Sequence, residues 1–410
     1  MTETKKKILW LCHWESPYEE EWRGGMGKYM YQLAKELSRD YKINIDILTP
    51  NFANYPSKQV LCSRVNLIRL DVPAQGNIRN PDDMQKFADS VVNFVAGKDY
   101  SLVHAHYWSS HYAGKALAEK GMPYVLQLHQ LNKPMQVAFE NYDLDFPLNE
   151  WRNEEERNAV ESADRTIFVS NTQLEEFKRD YYNDKEIPKQ TRDKIKIVLN
   201  GADLQYFKPV EGKDLENLMK KYDVPKDSFI IGYCGRLDPD KAVDRLIRSV
   251  PILLDKLPGE IADKVRIMIT GKGSDVKYLE SVTRDLKLDS RTQFYGFQTG
   301  KSLLEKFQIS DVGVITSIHE TFGLSVIEFM ATGKPVVCWN GSGGPEEIIN
   351  GTAGKVVSDY ESAAEALFEF VMNPELKNKI GNDARDKCIK VYNWDRVAKE
   401  VNDVYNEILK

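Results

Sequence analysis

The chain has 410 residues, which is too many for one ordinary hydrophobic core and enough for two domains of roughly 150 to 200 residues each. Hydrophobic residues make up 42% of it and charged residues 29%, a globular composition without low-complexity tracts. The net charge of -6 argues against nucleic acid as a partner. No apolar run approaches the roughly 20 residues that a membrane span needs, and the acidic net charge disfavours peripheral membrane contact.

The cysteines indicate a cellular compartment. The chain has 5 of them, they are widely scattered, and none belongs to a CxxC pair. This argues against a structural zinc site and fits a reducing environment. Because the first residues do not have the pattern of a signal peptide, we expect a cytoplasmic protein.

Short apolar runs bounded by turn residues alternate with longer amphipathic segments along the chain, the pattern of parallel strands joined by crossover helices. The first set of predicted strands is Ile8–Cys12, Ile43–Leu48, Leu102–His104, Tyr124–Leu128 and Thr166–Val169. The second set is Phe229–Cys234, Val265–Ile269, Gln293–Tyr295, Val312–Thr316 and Pro335–Trp339. The sequence therefore predicts an α/β protein with two Rossmann-like, doubly wound parallel-sheet domains.

The domain boundary is predicted near Pro209, where the first set of strands has ended and a charged amphipathic stretch leads to the second set. We expect an N-terminal domain over residues 1–209 and a C-terminal domain over residues 210–390. A final helix is expected in residues 391–410, where apolar residues at helical spacing need a surface to cover them.

In open parallel sheets, ligands bind beyond the carboxyl ends of the strands, so the loops after the strands carry the candidate site residues. In the first such region, Gly24 and Gly25 precede a helix and would let a phosphate approach the backbone, although a plain turn explains them as well. The string is not a nucleotide-binding P-loop, because Trp22 stands at the first glycine position and Tyr29 where Ser or Thr binds magnesium.

Three histidines lie at the ends of two predicted strands. His104 and His106 end one strand and His129 follows the next, so they are expected to line one pocket. Metal binding by the three is disfavoured, since no carboxylate or cysteine accompanies them at ligand spacing. We predict that His129 donates to or accepts from a sugar hydroxyl; the alternative is a purely structural histidine.

Two cations follow the first strand of the second set, in the string GRLDPDK. Arg236 can hold two phosphate oxygens at once and Lys241 acts as a point charge, so together they could stabilise a departing nucleoside diphosphate. Lys241 is predicted in the first turn of a helix, where the helix dipole favours acids and an anionic ligand would explain a lysine. The alternative is ion pairing with Asp238 or Asp240 at the surface.

Two glutamates occur in the loop and helix that follow the strand Val312–Thr316. Glu320 falls in the loop, and Glu328 falls inside a helix where its neighbours are apolar. A buried carboxylate needs hydrogen-bond donors, and a ribose diol supplies two. At the helix start, the N–H groups of Phe322–Leu324, which include Gly323, can bind an anion such as diphosphate. Alternatively, Glu320 caps the helix and Glu328 meets a buried Arg or Lys.

Taken together, these strings resemble glycosyltransferase family 4 over nearly the whole chain. The resemblance rests on the glycine pair Gly24-Gly25, on His129, on Arg236 and Lys241 in a GRLxxxK string, and on Glu320 and Glu328. It implies the GT-B fold, with two facing Rossmann-like domains and a cleft, and retention of anomeric configuration on transfer from a nucleotide sugar to a hydroxyl acceptor.

The resemblance also implies roles for single residues. Arg236 and Lys241 would bind the diphosphate, Glu320 the donor sugar and Glu328 the ribose, with no metal ion or other cofactor required. Phe297, after Gly296, would lie beside the base, and the last helix would cross back onto the first domain. The leaving phosphate would take the acceptor proton on the same face of the sugar.

Within the family, the chain looks most like the branch of sucrose-phosphate synthases and inositol-phosphate glycosyltransferases, which use phosphorylated acceptors. On that resemblance, Arg152 and Lys133 would bind an acceptor phosphate, and His106 would contact the acceptor. Two other functions remain open: a nucleotide-sugar epimerase or phosphorylase of the same fold, and a non-catalytic partner subunit that binds a nucleotide sugar.

Overall fold

A computed structural model of the chain describes residues 6–18, 25–51, 55–72, 81–140 and 150–410. The chain forms two compact units. The first consists of Met1–Gln136, Pro147–Asn200 and Trp394–Lys410, and the second of Val137–Phe146 and Gly201–Asn393. The division thus follows Asn200, whereas the sequence predicts a boundary after Pro209, and the last segment groups with the first unit.

The first unit is built on a sheet in which eight strands are described, in the order β3-β4-β2-β1-β5-β6-β7-β8. All neighbouring strands are parallel except β3 and β4, which pair antiparallel at one edge. The strands are β1 Lys7–Leu11, β2 Asn44–Pro50, β3 Lys58–Cys62, β4 Val65–Leu70, β5 Leu102–His106, β6 Tyr124–Gln127, β7 Arg165–Phe168 and β8 Ile195–Ile197.

The second unit has a sheet in which six parallel strands are described, in the order β11-β10-β9-β12-β13-β14. These strands are β9 Phe229–Cys234, β10 Val265–Thr270, β11 Thr292–Phe294, β12 Val312–Ile315, β13 Val336–Trp339 and β14 Gly354–Val357. The order reverses between β9 and β12, and at such a reversal the loops diverge and leave a crevice for ligands.

The helices alternate with the strands, as parallel sheets require. Those before residue 200 are α1 Gly25–Asp40, α2 Pro81–Val95, α3 His111–Ala118, α4 Asn132–Glu140, α5 Glu150–Ser162, α6 Asn171–Tyr182 and α7 Lys189–Arg192. Those after it are α8 Gly212–Lys221, α9 Asp244–Lys256, α10 Gly259–Ala262, α11 Val276–Asp285, α12 Gly300–Ile309, α13 Leu324–Ala331, α14 Gly344–Ile349, α15 Tyr360–Met372, α16 Pro374–Val391 and α17 Trp394–Ile408. None of the described helices combines the length and the apolar composition needed to cross a bilayer.

Each unit has its own hydrophobic core of strand and helix residues. The terminal helix α17 packs against α1 in the first unit and buries its apolar stripe there. Val397, Val401 and Tyr405 are each 0% exposed. Burial of these apolar side chains stabilises the packing of α17 on α1.

Candidate active site

The loops that follow strands β9, β10 and β11 are tied to one another by backbone hydrogen bonds. The N–H of Gly235 donates to the carbonyl of Thr270 at 3.0 Å, and the N–H of Gly271 donates to that of Gly296 at 2.9 Å. A side chain at position 271 would bring its Cβ to 1.7 Å from the carbonyl oxygen of Gly235. The loops that follow β9 and β10 can therefore approach each other this closely only with glycine at position 271. The loop that carries Arg236 is thereby held in one position.

A cluster of charges lies on the loops after β9 and β12. Lys241 Nζ donates to Glu320 Oε1 at 2.7 Å and lies 3.2 Å from Asp240 Oδ2. Arg236 donates from Nη2 to Asp240 Oδ2 at 2.8 Å and also pairs with Asp238. We call these five residues the charge cluster. Its two cations are surrounded by three carboxylates, and the ion pairs of Arg236 with Asp238 and Asp240, which the sequence left open as an alternative, are present.

Ion pairing keeps the buried part of this cluster charged. Burial opposes the negative charge of Glu320, but the charge and hydrogen bond of Lys241 and a 3.0 Å hydrogen bond from Ser317 Oγ outweigh it, and the pKa of Glu320 is lowered. Burial also opposes the positive charge of Lys241, but Glu320 and Asp240 outweigh it and raise its pKa. Both side chains are therefore charged near neutral pH.

The local structure around Lys241 differs from the sequence prediction. Lys241 ends a short 3-10 turn, Pro239–Lys241, and α9 begins only at Asp244. The dipole argument for an anionic ligand therefore does not apply to Lys241, since it does not lie in the first turn of α9. Its position is set instead by a backbone contact, in which the hydroxyl of Thr316 donates to the carbonyl of Lys241 at 2.6 Å.

The backbone of Glu320 is fixed by the loop after β13. The N–H of Glu320 donates to the carbonyl of Ser342, and the N–H of Gly344 donates to the carbonyl of Glu320, each at 2.8 Å. The two loops approach so closely that a Cβ at Gly344 would lie 2.5 Å from the Cα of Phe322. Gly344 is therefore needed for the close approach that holds the loop of Glu320.

Helix α13 begins directly after this loop. Gly323, with φ 95°, makes the left-handed turn that precedes Leu324, the first residue of the helix. Phe322 is 4% exposed and its ring packs edge-on against Tyr392 at 6.0 Å. The N–H groups at the start of α13 have no acceptor within the helix, so this end can bind an anion.

Glu328 lies in the second turn of α13 and is buried, with 7% of its surface exposed. It is close to the end of β9, because its charge adds to the effect of burial in raising the pKa of the Cys234 thiol. Phe297, after β11, is 56% exposed, and Lys272 Nζ lies 4.5 Å from the centre of its ring. The exposed ring is available for stacking on a planar ligand.

The three predicted histidines form a stack in the first unit. The rings of His104 and His106 stack with centroids 4.2 Å apart, and those of His106 and His129 stack at 5.5 Å. His106 Nδ1 is 3.2 Å from His129 Nε2. His104 and His106 are fully buried, so of the three only His129 is partly exposed. His106, predicted as an acceptor contact, thus lies underneath His129 in this structure.

Two other predicted acceptor contacts are already engaged. Arg152 is 7% exposed, donates from Nε to Glu156 Oε1 at 3.0 Å and donates from Nη2 to the Tyr107 hydroxyl at 2.9 Å. Lys133 donates from Nζ to the carbonyl oxygen of Asp180. An acceptor phosphate would have to compete with these groups for either cation.

The remaining predicted phosphate contact is the glycine pair. Gly25 is exposed at the first position of α1. Gly24 lies outside the described residues. The described part of α1 therefore leaves the backbone at Gly25 accessible, as the prediction of a phosphate contact requires.

Sequence reasoning missed several residues of these arrangements. Ser317, which bonds Glu320, stands three positions before it in the same loop and could have been found from the spacing. Asp240, which touches both cations of the charge cluster, was considered only as part of an alternative. Tyr405, whose hydroxyl lies 2.7 Å from His104 Nδ1, is 301 positions away along the chain, and no local signal connects the two.

Among the described residues, a single group of three acidic side chains has its oxygens close enough together for a metal ion. It consists of Glu36, Asp40 and Asp395, two of them exposed. Arg39 pairs with all three carboxylates, so their charge is already matched by a protein cation.

Two family models match consecutive parts of the chain. The model described as Glycosyltransferase Family 4 matches residues 23–206, and that described as Glycosyl transferases group 1 matches residues 214–387. The chain carries a Glycosyltransferase Family 4 domain followed by a Glycosyl transferases group 1 domain. It is therefore an enzyme that transfers a glycosyl group, as the sequence predicts.

Relatives of this glycosyltransferase match over most of their length. The D-inositol 3-phosphate glycosyltransferase of Streptomyces avermitilis is 29% identical over 402 residues, which cover 94% of this chain and 84% of the relative. That of Saccharomonospora viridis is 26% identical over 425 residues, covering 98% of this chain and 94% of the relative. The similarity to the inositol-phosphate branch predicted from the sequence is confirmed.

Solved structures give the fold. The sucrose-phosphate synthase of Thermosynechococcus elongatus superposes with a TM-score of 0.83 at 22% identity, covering 98% of this chain and 99% of the other. The Anabaena protein HepE in complex with UDP and glucose gives a TM-score of 0.73 at 18% identity, covering 98% of this chain and 100% of the other. The predicted GT-B class, with two α/β domains built on parallel sheets, is confirmed.

Proposed function

We propose that this glycosyltransferase moves a hexosyl group from a nucleoside-diphosphate sugar to an acceptor hydroxyl, with retention of anomeric configuration and without a metal ion. The observation that carries the proposal is the charge cluster. It brings Arg236 and Lys241 next to Glu320 on loops at the carboxyl ends of β9 and β12. Ligands of open parallel sheets bind at these ends.

Arg236 is suited to exchange its partners for a diphosphate. It is about half exposed and is held by ion pairs with Asp238 and Asp240. A guanidinium can bind two phosphate oxygens at once, and such charge-assisted bonds are about twice as strong as neutral ones. Lys241, only 12% exposed, would add a second positive charge near the diphosphate.

Glu320 and α13 complete the donor site in this proposal. Glu320 would bind hydroxyls of the donor sugar, because its carboxylate stays ionised and its backbone is fixed by the loop of Ser342. The start of α13 would add N–H donors for the phosphates. Glu328 would accept from the ribose hydroxyls, and Phe297 would lie along the base.

The reaction then breaks the bond between the anomeric carbon and the phosphate oxygen while the acceptor oxygen bonds to the same face of that carbon. The acceptor proton passes to the departing phosphate oxygen. Arg236 and Lys241 stabilise the negative charge that develops on that phosphate. Because two protein cations supply this charge, a divalent ion has no further task, and we propose that none is required.

For the acceptor, we propose a small phosphorylated hydroxyl compound that contacts the first unit. Relatives named D-inositol 3-phosphate glycosyltransferase support this choice. Arg152 and Lys133 are the cations that would bind the phosphate after exchanging their present partners. His129 would bind a sugar hydroxyl. We place the reaction in the cytoplasm, in keeping with five free cysteines.

The proposal is tested by incubating the purified protein with UDP-, ADP- and GDP-sugars and inositol or hexose phosphates, with EDTA or with Mg²⁺. We expect one donor to release its nucleoside diphosphate only when acceptor is present, at equal rates under both conditions. Proton NMR should show the anomeric configuration of the donor in the product. Inversion, or activity that EDTA abolishes, would contradict the mechanism.

The same assay separates the other functions. An epimerase would change the donor sugar without an acceptor, and a non-catalytic partner would bind a nucleotide without turnover. Since the charge cluster holds two cations beside Glu320 at the carboxyl ends of the central strands β9 and β12, we expect neither outcome.

A further inference from the structure

The imidazole of His129 is held by rings on two sides. Tyr29 from α1 meets it edge to face, with centroids 5.0 Å apart and planes at 70°. His106 stacks on the other side and presents Nδ1 at 3.2 Å from His129 Nε2. One nitrogen of His129 is therefore used inside the protein, which leaves Nδ1 as the atom that can meet a ligand.

His106 is itself held by a second layer of rings. It is fully buried, stacks on His104 and lies against Trp10, with centroids 4.6 Å apart. His104 Nδ1 is 2.7 Å from the hydroxyl oxygen of Tyr405, and that oxygen also accepts from Trp10 Nε1–H at 3.0 Å. The stack is thus anchored by Tyr405, which belongs to the terminal helix α17.

The tautomer of His129 follows from the hydrogen bonds of His106. Burial lowers the pKa of His104 and that of His129 to about 3, so these rings are neutral in the working range of pH. His106 Nε2 is buried and has no partner among the described residues. A buried N–H without an acceptor is rarer in proteins than a buried acceptor without a donor. The proton of His106 therefore belongs on Nδ1, where it is donated to His129 Nε2.

We propose that His106 and Tyr405 are positioning residues that hold His129 in one orientation and as the Nδ1–H tautomer, so that it donates to an oxygen of the substrate. The inference rests on the proposed function, in which His129 binds a sugar hydroxyl. It assigns to His106 a task in the interior in place of an acceptor contact. It also gives the terminal helix α17, through Tyr405, a role in orienting His129.

The first test is NMR of the ¹⁵N-histidine-labelled protein, whose six histidines give separate imidazole signals. The signal of His129 is assigned by its loss in His129→Asn. We expect the wild type to carry the proton on Nδ1, and His106→Leu to give a mixture of tautomers. A wild-type His129 protonated on Nε2 overturns the proposal, and this wild-type measurement needs neither activity nor a folded variant of His106.

Kinetics give the second test. His106→Leu removes the hydrogen bond, whereas His106→Asn keeps a donor near the position of Nδ1. We expect about a tenfold fall in kcat for His106→Leu, partial recovery in His106→Asn, and a donor KM changed less than twofold. Tyr405→Phe should lower kcat about threefold. Equal kcat values in His106→Leu and the wild type contradict the proposal.

A matched control is Tyr100→Phe, which removes another buried hydroxyl of the same unit, bonded to Asp46 at 2.7 Å. It should leave kcat unchanged, so a general loss of stability cannot mimic the expected result. If His129→Ala retains full kcat, the proposed role of His129 fails. The NMR result on the wild type would still decide whether His106 sets the tautomer.

Discussion

The charge cluster of the second unit and the histidine stack of the first hold their polar groups in opposite ways. In the cluster, Lys241 and Glu320 pair at 2.7 Å and stay ionised despite burial. In the stack, no carboxylate of the described residues forms an ion pair with the three rings, and burial lowers the pKa of His129 to about 3. Ion pairs preserve charge, whereas a stack of aromatic rings preserves geometry and makes its members neutral.

This difference suits two tasks. A charged side chain that is paired with side chains of opposite charge can exchange them for a ligand that carries the same charge as those partners. We propose such an exchange for Arg236, from two carboxylates to a diphosphate. A neutral ring held on both faces cannot exchange partners without losing its packing, but it presents one atom in a constant direction. The comparison predicts that substitutions in the cluster act on transition-state charge, and that those in the stack act on alignment.

The largest expected effect is that of Glu320→Ala. Transfer should fall by at least about 100-fold, because the carboxylate proposed to bind the donor sugar is lost and Lys241 loses its hydrogen-bond partner. His129→Ala should cost only about tenfold, since alignment is partly retained by other contacts. Steady-state rates of nucleotide release measure both, with circular dichroism as the check on folding.

The control for Glu320→Ala is Glu361→Ala, which removes an exposed glutamate from α15, also in the second unit. It should leave both rate and fold unchanged. A folded Glu320→Ala enzyme with near wild-type activity would remove Glu320 from the site, and a greater loss in His129→Ala would reverse the comparison.

The second largest effect is expected from Gly344→Ala. Its Cβ would lie 2.5 Å from the backbone Cα of Phe322, so the two loops must separate and Glu320 must move. We expect a loss of about 1–3 kcal/mol in the free energy of unfolding, and roughly a tenfold fall in kcat. Gly259→Ala is the control, because nothing lies within 4 Å of its added Cβ. Unchanged kcat in Gly344→Ala would show that Glu320 does not depend on this contact.

A third cation of the second unit sharpens the comparison because its amine lacks a hydrogen-bond partner among the described residues. Lys306 Nζ is buried between Tyr222 and Tyr295, with ring centroids at 2.8 Å and 3.7 Å. Burial lowers the pKa of Lys306 to about 8, below that of about 10.4 expected in the unfolded chain.

Stability should therefore depend on pH in a defined direction. Below pH 8 the folded protein holds a buried charge, so Lys306→Met should be more stable than the wild type by roughly 2 kcal/mol at pH 7. Between pH 8 and about 10 the folded state loses the proton first, and the advantage should shrink. Urea unfolding at pH 7 and pH 9.5 measures this. Lys301→Met, an exposed change in the same helix, should show no such trend.

The smallest effect is expected from Phe297→Ala. Because the ring is 56% exposed, its loss should leave the free energy of unfolding nearly unchanged. If the ring lies along the base of the donor, the donor KM should rise about fivefold, the equivalent of about 1 kcal/mol of stacking, while kcat stays constant. A change in kcat with an unchanged donor KM would contradict this role of Phe297 in donor binding.

Most of the fold was predictable from the sequence, because buried parallel strands are continuous apolar runs. The exceptions have physical reasons. β3, Lys58–Cys62, is an edge strand of mixed polarity. It pairs antiparallel with β4, Val65–Leu70, where buried and partly exposed residues alternate and two polar residues interrupt the apolar run. β8, Ile195–Ile197, has only three residues, and β14, Gly354–Val357, begins with glycine and lysine.

The candidate site was predictable where a residue lies in the loop that follows its strand, as Arg236 and Glu320 do. Contacts between distant segments were not predictable. The hydrogen bond between Tyr405 and His104 joins residues 301 positions apart, and the approach of Gly344 to Phe322 depends on how two loops fold. These contacts decide which side chains are held and which can exchange partners.

Isothermal titration with UDP, ADP and GDP, in EDTA and then in Mg²⁺, tests the central claim most directly. The claim is that the charge cluster is a metal-free site for a nucleoside diphosphate. We predict that one of them binds equally well in both buffers, and that Arg236→Ala weakens binding about 10- to 100-fold in a protein of unchanged stability. Binding that requires Mg²⁺, or that Arg236→Ala leaves intact, would contradict the account.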